Sequence, residues 1–187
     1  KQVSDVLDTK DEDVIVASLP LFHAFGLTVT GLLPLVEGIP AICHPDPTDA
    51  LNIAKGICRH NATLFFGTST FIRLFNKNRR VHPLMLQSLR CVVAGAERLN
   101  PEIRDNFNIK FGKTIYEGYG TTETTPVAAV NIMDRMSTDD WHVQTGNKLG
   151  TVGLPLPGSS VKIVDPASMK MMLNTDWRHA SYARLFK

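Results

Sequence analysis

Short apolar runs alternate with longer amphipathic segments along this chain. The short runs are rich in β-branched residues and end at proline, glycine or polar turns, as buried strands do: residues 14–19, 40–43, 62–66, 90–94 and 113–119. Between these runs lie segments that we predict to be helices, either because their apolar residues have helical spacing or because they are apolar almost throughout, as in a buried helix. They are residues 22–36, 49–59, 69–75 and 101–110. This order predicts an α/β fold, with a largely parallel sheet flanked by helices.

The last third of the chain has a weaker pattern. Residues 133–148 are polar and show no clear periodicity, so we expect a loop there. Residues 160–164 alternate like a half-buried strand, and the tail beyond them has no clear architecture. We therefore divide the chain into an α/β subdomain at residues 1–132 and a second part at residues 133–187, which holds the loop, the short β segment and the irregular tail.

Composition and charge narrow the class of protein. The chain has 187 residues, of which 43% are hydrophobic and 20% charged, values that fit a globular protein and exclude a disordered one. Its net charge is +2 and no large basic block stands out, so we expect no nucleic-acid partner. No uninterrupted apolar run reaches the ~18 residues of a membrane span.

The cysteines give a further indication of the compartment. Cys43, Cys58 and Cys91 lie far apart in largely apolar stretches, and none forms a Cys-x-x-Cys pair. A zinc ribbon or a redox motif is therefore not indicated. We expect three reduced, buried thiols, as in a cytosolic protein.

Polar clusters follow several of the predicted strands. They comprise residues 21–23, 67–70, 95–97 and 118–123. Ligands of open α/β sheets bind beyond the carboxyl ends of the strands, so these clusters are the candidate binding residues. The last cluster is the most informative, because its glycines permit unusual backbone angles and close approach of a ligand around Tyr119.

Residues 118–123 combine several kinds of ligand group in one short run. The ring of Tyr119 offers a flat face to an aromatic base, and the hydroxyls of Thr121 and Thr122 suit a phosphate. The carboxylate of Glu123 suits a hard cation such as Mg²⁺. The alternative is a polar turn followed by a helix start, in which Glu123 only favours the helix dipole. Local chemistry leaves both interpretations open.

Ordered motifs give this chain a resemblance to a known superfamily. Residues 119–123 (YGTTE) resemble the signature of adenylate-forming enzymes, which include acyl-CoA synthetases, luciferases and the adenylation domains of peptide synthetases. Residues 19–26 (LPLFHAFG) resemble a second signature of that superfamily, and residues 150–158 resemble its later Gly- and Pro-rich segment. The resemblance implies that the α/β fold is part of the large N-terminal domain of an adenylate-forming enzyme.

A narrower resemblance rests on residues 21–29, 66–71 and 92–99. These are similar to the synthetase half of bacterial bifunctional acyl-acyl carrier protein synthetase/2-acylglycerophosphoethanolamine acyltransferases. That resemblance implies an enzyme that uses ATP and Mg²⁺ to convert a fatty acid into an acyl-adenylate and then into a thioester on acyl carrier protein. It also implies onward transfer to a lysophospholipid at a membrane surface. A long-chain fatty acid–CoA ligase is one alternative, and an inert module that only binds adenine nucleotide is another.

The superfamily resemblance also implies residue roles. Tyr119 stacks on adenine, Thr122 binds the α-phosphate, and Glu123 ligates Mg²⁺. His23 lies near the substrate carboxylate and the acyl channel, unless it is a satisfied core histidine. Residues 68–70 face a pocket or, alternatively, cap a helix. Gly95, Ala96 and Glu97 line the adenine pocket, and the remaining residues of the implied nucleotide (ATP/AMP) site are Gly118, Gly120 and Thr121.

Several parts of the superfamily pattern are not recognisable in this sequence. They are the Ser/Thr/Gly-rich phosphate loop, the Thr-Gly-Asp signature and the small domain with its catalytic lysine. We therefore expect a central fragment of a synthetase that is inactive by itself. The resemblance implies a cytoplasmic location, with association of the parent enzyme with the inner membrane as an open possibility.

Overall fold

The computed structural model describes residues 1–162 and residue 164. In chain order its elements are α1 (Gln2–Leu7), β1 (Ile15–Ala17), α2 (Ala24–Gly26), a π-helix (Leu27–Leu32), α3 (Leu33–Glu37), β2 (Ala41–Cys43), α4 (Ala50–His60), β3 (Leu64–Gly67), α5 (Ser69–Lys77), a 3-10 helix (Pro83–Leu86), β4 (Cys91–Ala94), α6 (Pro101–Phe111), β5 (Ile115–Tyr119), a second 3-10 helix (Thr122–Thr124), β6 (Ala129–Val130), β7 (Arg135–Met136), β8 (Val143–Gln144) and β9 (Leu154–Pro155). None of the helices in this part of the chain is long and apolar enough to cross a membrane.

The main sheet has the strand order β2-β1-β3-β4-β5-β6-β9 within the described residues. Strands β1 to β5 pair in parallel, and β6 and β9 add antiparallel pairs at one side. Helical crossovers are the usual way to join parallel neighbours, and α4, α5 and α6 supply them here. The predicted α/β fold with a largely parallel sheet flanked by helices is confirmed.

Each face of the sheet is covered by a different set of helices. Phe65 and Val92 point into the core that the sheet forms with α4, α5 and α6. Their neighbours Phe66 and Val93 point into a second core, together with α1 and the helical segment 24–37. Successive strand residues face opposite sides, so continuously apolar strands need cover on both faces. This explains why the strands read as unbroken apolar runs rather than alternating ones.

The parallel register brings the carboxyl ends of the central strands to one edge. Gly67 pairs with Ala94, and Ala94 pairs with Glu117. The chain therefore leaves β3, β4 and β5 side by side. The polar residues that follow these strands in sequence become neighbours in space, as expected for a ligand site in an open α/β sheet.

At the amino ends of the strands, a buried carboxylate connects the sheet to α1. Asp13 is 1% exposed and accepts hydrogen bonds from Arg90 Nε (2.8 Å) and from the Thr63 hydroxyl (2.6 Å), besides an ion pair with the second arm of Arg90. The same guanidinium donates to the carbonyl of Asp8 at 3.0 Å, just after α1 ends. Helix α1 itself was not predicted from the sequence.

Some expectations about burial are wrong. Cys91 is buried, but Cys43 and Cys58 are exposed, because Cys43 ends the edge strand β2 and Cys58 lies on the outer side of α4. Residues 22–36 form the expected helical segment apart from its first residues, yet only one side of it is buried. Phe22 is 95% exposed and Leu35 80% exposed, since the sheet covers only the side that faces it.

The segment after β6 also differs from expectation. A two-stranded hairpin, β7 with β8, lies inside the segment predicted as a loop. Residues 154–155 join the main sheet as β9. Residues 160–162 are not in a strand, and part of the predicted strand at 160–164 lies outside the described residues, as does the tail at 165–187. The division of the chain after residue 132 stays a prediction.

Candidate functional site

A cavity of about 310 Å³ opens at the carboxyl edge of β4 and β5. Its walls come from α1, from the start of the helical segment 24–37, and from the turn after β5. One wall is apolar, with Phe25, Val29 and Phe66 among its residues. The opposite wall is the polar run that follows β5. The cavity therefore presents apolar and polar surfaces side by side.

Most of the residues singled out in the sequence lie around this cavity. They are His23, Gly95, Ala96, Gly118, Tyr119, Gly120, Thr121, Thr122 and Glu123. Glu97 does not line it. The structure thus brings together residues from three separate motifs, while the roles assigned to them stay predictions.

The turn after β5 is fixed by its own backbone. A Cβ at Gly120 would lie 1.5 Å from the carbonyl oxygen of Pro126, so no side chain fits there. The Thr121 N–H donates to the Thr124 hydroxyl at 2.9 Å, and that hydroxyl donates to the Thr121 carbonyl, also at 2.9 Å. These bonds close a short 3-10 helix at Thr122–Thr124.

Thr122 and Glu123 are exposed on this short helix. The Thr122 hydroxyl makes no hydrogen bond to any other described residue, so it is available to a ligand. Hydrogen bonds from its own backbone N–H and from the Thr121 hydroxyl hold the pKa of Glu123 below its usual range. Glu123 is therefore an anion at neutral pH, at the mouth of the cavity.

The loop after β4 forms the adjoining wall. Ala96 has a φ of 67°, which is the left-handed region that residues other than glycine rarely adopt. A Cβ at Gly95 would lie 3.0 Å from the ring of Phe25, so this loop packs closely against the apolar wall. Glu97 points elsewhere: its carboxylate accepts the Thr70 N–H at 2.5 Å and the Thr70 hydroxyl at 3.2 Å, at the start of α5. A direct lining role for Glu97 is thus not seen.

His23 is neither buried nor in the core. It is exposed and forms the N-cap of α2, where its Nδ1 accepts the Phe25 N–H at 3.2 Å. In the neutral ring this assignment leaves the proton on Nε2, which can donate to a ligand. His23 borders both the main cavity and a smaller apolar one of about 200 Å³.

Residues 68–70 act chiefly as the start of α5. The Thr68 hydroxyl accepts the Phe71 N–H at 3.2 Å, and Ser69 Oγ accepts the Asn100 N–H at 3.1 Å. Thr70 holds Glu97, as described above. The helix-cap interpretation therefore describes these residues, although Thr68 also borders the smaller cavity.

The charged residues around the cavity determine which ligands and metal ions it can bind. Its described lining contains one carboxylate, Glu123, and no lysine or arginine. The described residues contain no cluster of three or more histidine, cysteine or acidic side chains able to hold a metal by themselves. Mg²⁺ is commonly held by one or two carboxylates together with substrate phosphates and water. An exposed, ionised Glu123 beside the Thr122 hydroxyl fits that manner of binding.

Helix α1 contributes residues that were missed in the sequence. Val3, Val6 and Leu7 line the cavity from this helix. Their spacing of three and four residues is the pattern of an amphipathic helix, so a signal was present. Leu156, just after β9, also lines the cavity. No local signal in the sequence links it to this site.

Curated relatives of this chain are CoA ligases. The long-chain-fatty-acid–CoA ligase of Escherichia coli O6:H1 is 28% identical over 154 residues, which are 82% of this chain and 26% of that protein. The long-chain-fatty-acid–CoA ligase of Bacillus subtilis is 30% identical over 80% of this chain and 25% of its own length. This chain therefore spans about a quarter of the length of these relatives.

Solved structures of the same type share the fold. Apo MatB from Rhodopseudomonas palustris superposes with a TM-score of 0.74 and 25% identity, over 91% of this chain and 31% of that protein. A malonyl-CoA ligase in a ternary product complex with methylmalonyl-CoA and AMP has a TM-score of 0.67 and 27% identity, over 84% of this chain and 32% of its own.

The family is shown by a match over almost the whole sequence. Residues 1–174 match the family described as AMP-binding enzyme. That range includes every element of the sheet and every residue of the cavity described above. The match also confirms the coarser resemblance, to adenylate-forming enzymes. This chain belongs to the AMP-binding enzyme family.

Proposed function

We propose that this chain supplies the nucleotide-binding wall of an acid–thiol ligase that activates a fatty acid. The observation that carries the proposal is the single cavity that joins His23, Ala96 and the turn at residues 119–123. An apolar wall beside a polar turn suits a substrate with an acyl chain at one end and a nucleotide at the other.

Different residues of the cavity bind different parts of the nucleotide. The ring of Tyr119 stacks on adenine, and the backbone at Gly95 and Ala96 forms the edge of the adenine pocket. Gly118, Gly120 and Thr121 shape the turn. The hydroxyl of Thr122, which lines the cavity, donates to the α-phosphate. Hydrogen bonds aimed at phosphoryl oxygens stabilise the charge that gathers there in the transition state.

The reaction proceeds in two displacements. A carboxylate oxygen of the fatty acid attacks the α-phosphorus of ATP, forming an acyl–phosphate bond, and pyrophosphate leaves. A thiolate sulfur then attacks the acyl carbon, and AMP leaves with the bonding electrons. His23 orients the carboxylate through Nε2–H, because its Nδ1 is engaged at the cap of α2. Phe25, Val29 and Phe66 contact the acyl chain.

Glu123 would share Mg²⁺ with the nucleotide phosphates. Its pKa is held below its usual range, so the carboxylate is ionised at neutral pH. When bound there, Mg²⁺ neutralises charge on the phosphoryl oxygens. The chain's own contribution is to hold that carboxylate on a short, internally bonded helix.

The thiol acceptor has two candidates. The resemblance of residues 21–29, 66–71 and 92–99 to acyl carrier protein synthetases supports a carrier protein, with onward transfer to a lysophospholipid at the inner membrane. The relatives named above are CoA ligases, which supports CoA. The third candidate function is binding of adenine nucleotide without catalysis, and the described lining of the cavity, which holds no lysine or arginine, supports it.

Titration of nucleotide tests the site. We expect the chain to bind AMP in isothermal titration calorimetry and Tyr119→Ala to weaken that binding about tenfold, since base–aromatic stacking contributes ~1–3 kcal/mol. Glu123→Ala weakens binding of ATP with Mg²⁺ but leaves AMP binding in EDTA unchanged. Glu102→Ala, an exposed carboxylate on α6, is the matched control. Equal AMP binding by Tyr119→Ala and the unsubstituted chain contradicts the site.

Acceptor choice is tested in a protein of the relatives' full length that carries this sequence. Labelled fatty acid, ATP and Mg²⁺ are supplied, and acyl carrier protein and CoA are offered separately. Label on carrier protein alone supports the carrier-protein synthetase, and label on CoA supports the CoA ligase. Label on neither, without release of pyrophosphate, contradicts fatty-acid activation.

A further inference from the structure

The loop between β4 and α6 forms a wall of the cavity, and its neighbours hold it in place. The Leu99 N–H donates to the buried carboxylate of Glu117 at 2.6 Å. The Asn100 N–H donates to Ser69 Oγ at 3.1 Å. Both bonds hold the far end of the loop, next to α6. On the cavity side of the loop, the Gly95 N–H donates to the carbonyl of Gly67 at 3.0 Å, and a further contact holds the residues after Gly95.

That contact is made by Glu97. Its carboxylate accepts both the N–H and the hydroxyl of Thr70, in the first turn of the nine-residue helix α5. The first N–H groups of a helix have no partner within the helix, and the helix dipole favours an anion there. Hydrogen bonds to an ionised acceptor are also stronger than neutral ones. The start of α5 is therefore a good anchor for this side chain.

The anchor matters because of the residue beside it. Ala96 has a φ of 67°, and a residue with a Cβ is strained in this region. Such a conformation persists only where the surroundings hold it. Glu97 is covalently next to Ala96, and its contact with Thr70 reaches 27 residues back along the chain, to the neighbouring helix.

We propose that Glu97 is a positioning residue of the nucleotide site, and that it acts through its contact with Thr70 and not by touching the nucleotide. Its carboxylate holds Ala96 in the left-handed conformation and so keeps the Gly95–Ala96 backbone on the cavity wall. This inference rests on the proposed nucleotide function. It reassigns Glu97 from the lining of the adenine pocket to the support behind it.

Two ligands and three variants test this role in the 187-residue chain. We expect Glu97→Ala to weaken binding of both AMP and adenosine by the same factor, about ten- to a hundredfold, the range for loss of hydrogen bonds to a charged group. Glu97→Gln keeps an acceptor oxygen for the Thr70 N–H, so it restores most of the affinity. Thr122→Val weakens AMP binding only, because adenosine has no phosphate. Hydrogen exchange of the Thr70 amide is faster in Glu97→Ala than in the unsubstituted chain.

The outcomes separate this inference from the proposed function. Suppose that the unsubstituted chain binds AMP and that Glu97→Ala binds both AMP and adenosine as tightly as the unsubstituted chain does. The positioning role is then wrong and the nucleotide site stands. If the unsubstituted chain binds neither ligand, the nucleotide site is wrong and this role fails with it. A loss in Glu97→Ala that Glu97→Gln does not restore points to general unfolding and overturns the role. Glu102→Ala is again the control.

Discussion

Asp13 is a charged residue in a nearly inaccessible position, and its neighbours explain why it remains charged. Burial raises the pKa of its carboxyl, but hydrogen bonds from Arg90, Thr63 and the Lys10 backbone outweigh that effect. The net result is a pKa below the usual range. A carboxyl whose pKa is lower in the folded chain adds stability above its unfolded pKa, and that stability is lost as the pH falls through the folded pKa.

We expect Asp13→Asn to lower the free energy of unfolding by about 2–3 kcal/mol at pH 7, because Arg90 then lacks its counter-charge. Below about pH 4 the difference shrinks, as the carboxyl of the unsubstituted chain becomes protonated. Urea unfolding over a series of pH values measures both effects. Asp105→Asn, which removes an exposed partner of Arg104, is the control and changes the value by less than about 0.5 kcal/mol. A pH-independent difference for Asp13→Asn would contradict the assignment.

The structure shows where in the turn after β5 a glycine is required, which the sequence did not indicate. The glycines around Tyr119 were interpreted as room for a ligand. At Gly120 the room is needed by the protein itself, since the Pro126 carbonyl occupies the place of a Cβ. At Gly118 a Cβ would make only ordinary contacts, the nearest at 3.6 Å to Val93. Sequence reasoning identified the turn correctly but not which backbone atoms require the glycine.

At the scale of elements, lysine side chains join neighbouring helices and loops by capping backbone carbonyls. Lys110 Nζ, near the end of α6, donates to the carbonyls of Phe75 at 2.9 Å, Asn76 at 3.2 Å and Asn78 at 2.8 Å. These carbonyls lie at the end of α5, where backbone acceptors lack partners within the helix. The contact joins the carboxyl-terminal ends of the two helices on one face of the sheet.

Lys110→Met is expected to lower the free energy of unfolding by about 1–2 kcal/mol, because the carbonyls at the end of α5 lose a charged donor while the aliphatic packing is kept. Thermal or urea unfolding measures the change. Lys55→Met, on the exposed side of α4, is the matched control, with an expected change below about 0.5 kcal/mol. Equal effects of the two substitutions would show that the cap contributes nothing measurable.

The helical segment 24–37 shows why patterns of apolar residues can mislead. Its length and position follow from the sequence, but its burial does not. Phe25, Val29 and Leu33 face the sheet, whereas Leu35 and Val36 are exposed. Apolar residues on all sides of a helix predict burial on all sides. Only the placement of the surrounding elements decides which side is covered.

At the scale of the whole molecule, the groups around the cavity suit the proposed binding of a nucleotide better than the transfer of an adenylyl group. It offers a hydroxyl, a carboxylate and an aromatic ring, but its described lining has no lysine or arginine. Transfer from ATP develops charge on the phosphoryl oxygens and on the leaving pyrophosphate, and cationic side chains usually stabilise that charge.

The 187-residue chain is therefore expected to show no fatty-acid-dependent exchange of labelled pyrophosphate into ATP above background, even where it binds AMP. The long-chain-fatty-acid–CoA ligase of Escherichia coli O6:H1, of which this chain spans the equivalent of 26%, is the positive control. Robust exchange by the chain alone would contradict this expectation and would place the whole first step within these residues.

The sequence by itself determined the repeated strands and helices of the α/β part and the residue types of the turn. Strand and helix periods depend on residues close together in the chain, so the crossover order was readable, and the run at 118–123 holds its ligand groups in one short segment. The tertiary structure decided what depends on distant residues. Asp13 meets Arg90 across 77 positions, and Glu97 meets Thr70 across 27. Exposure of Cys43 and Phe22 likewise depends on which elements lie beside them, and no local pattern records that.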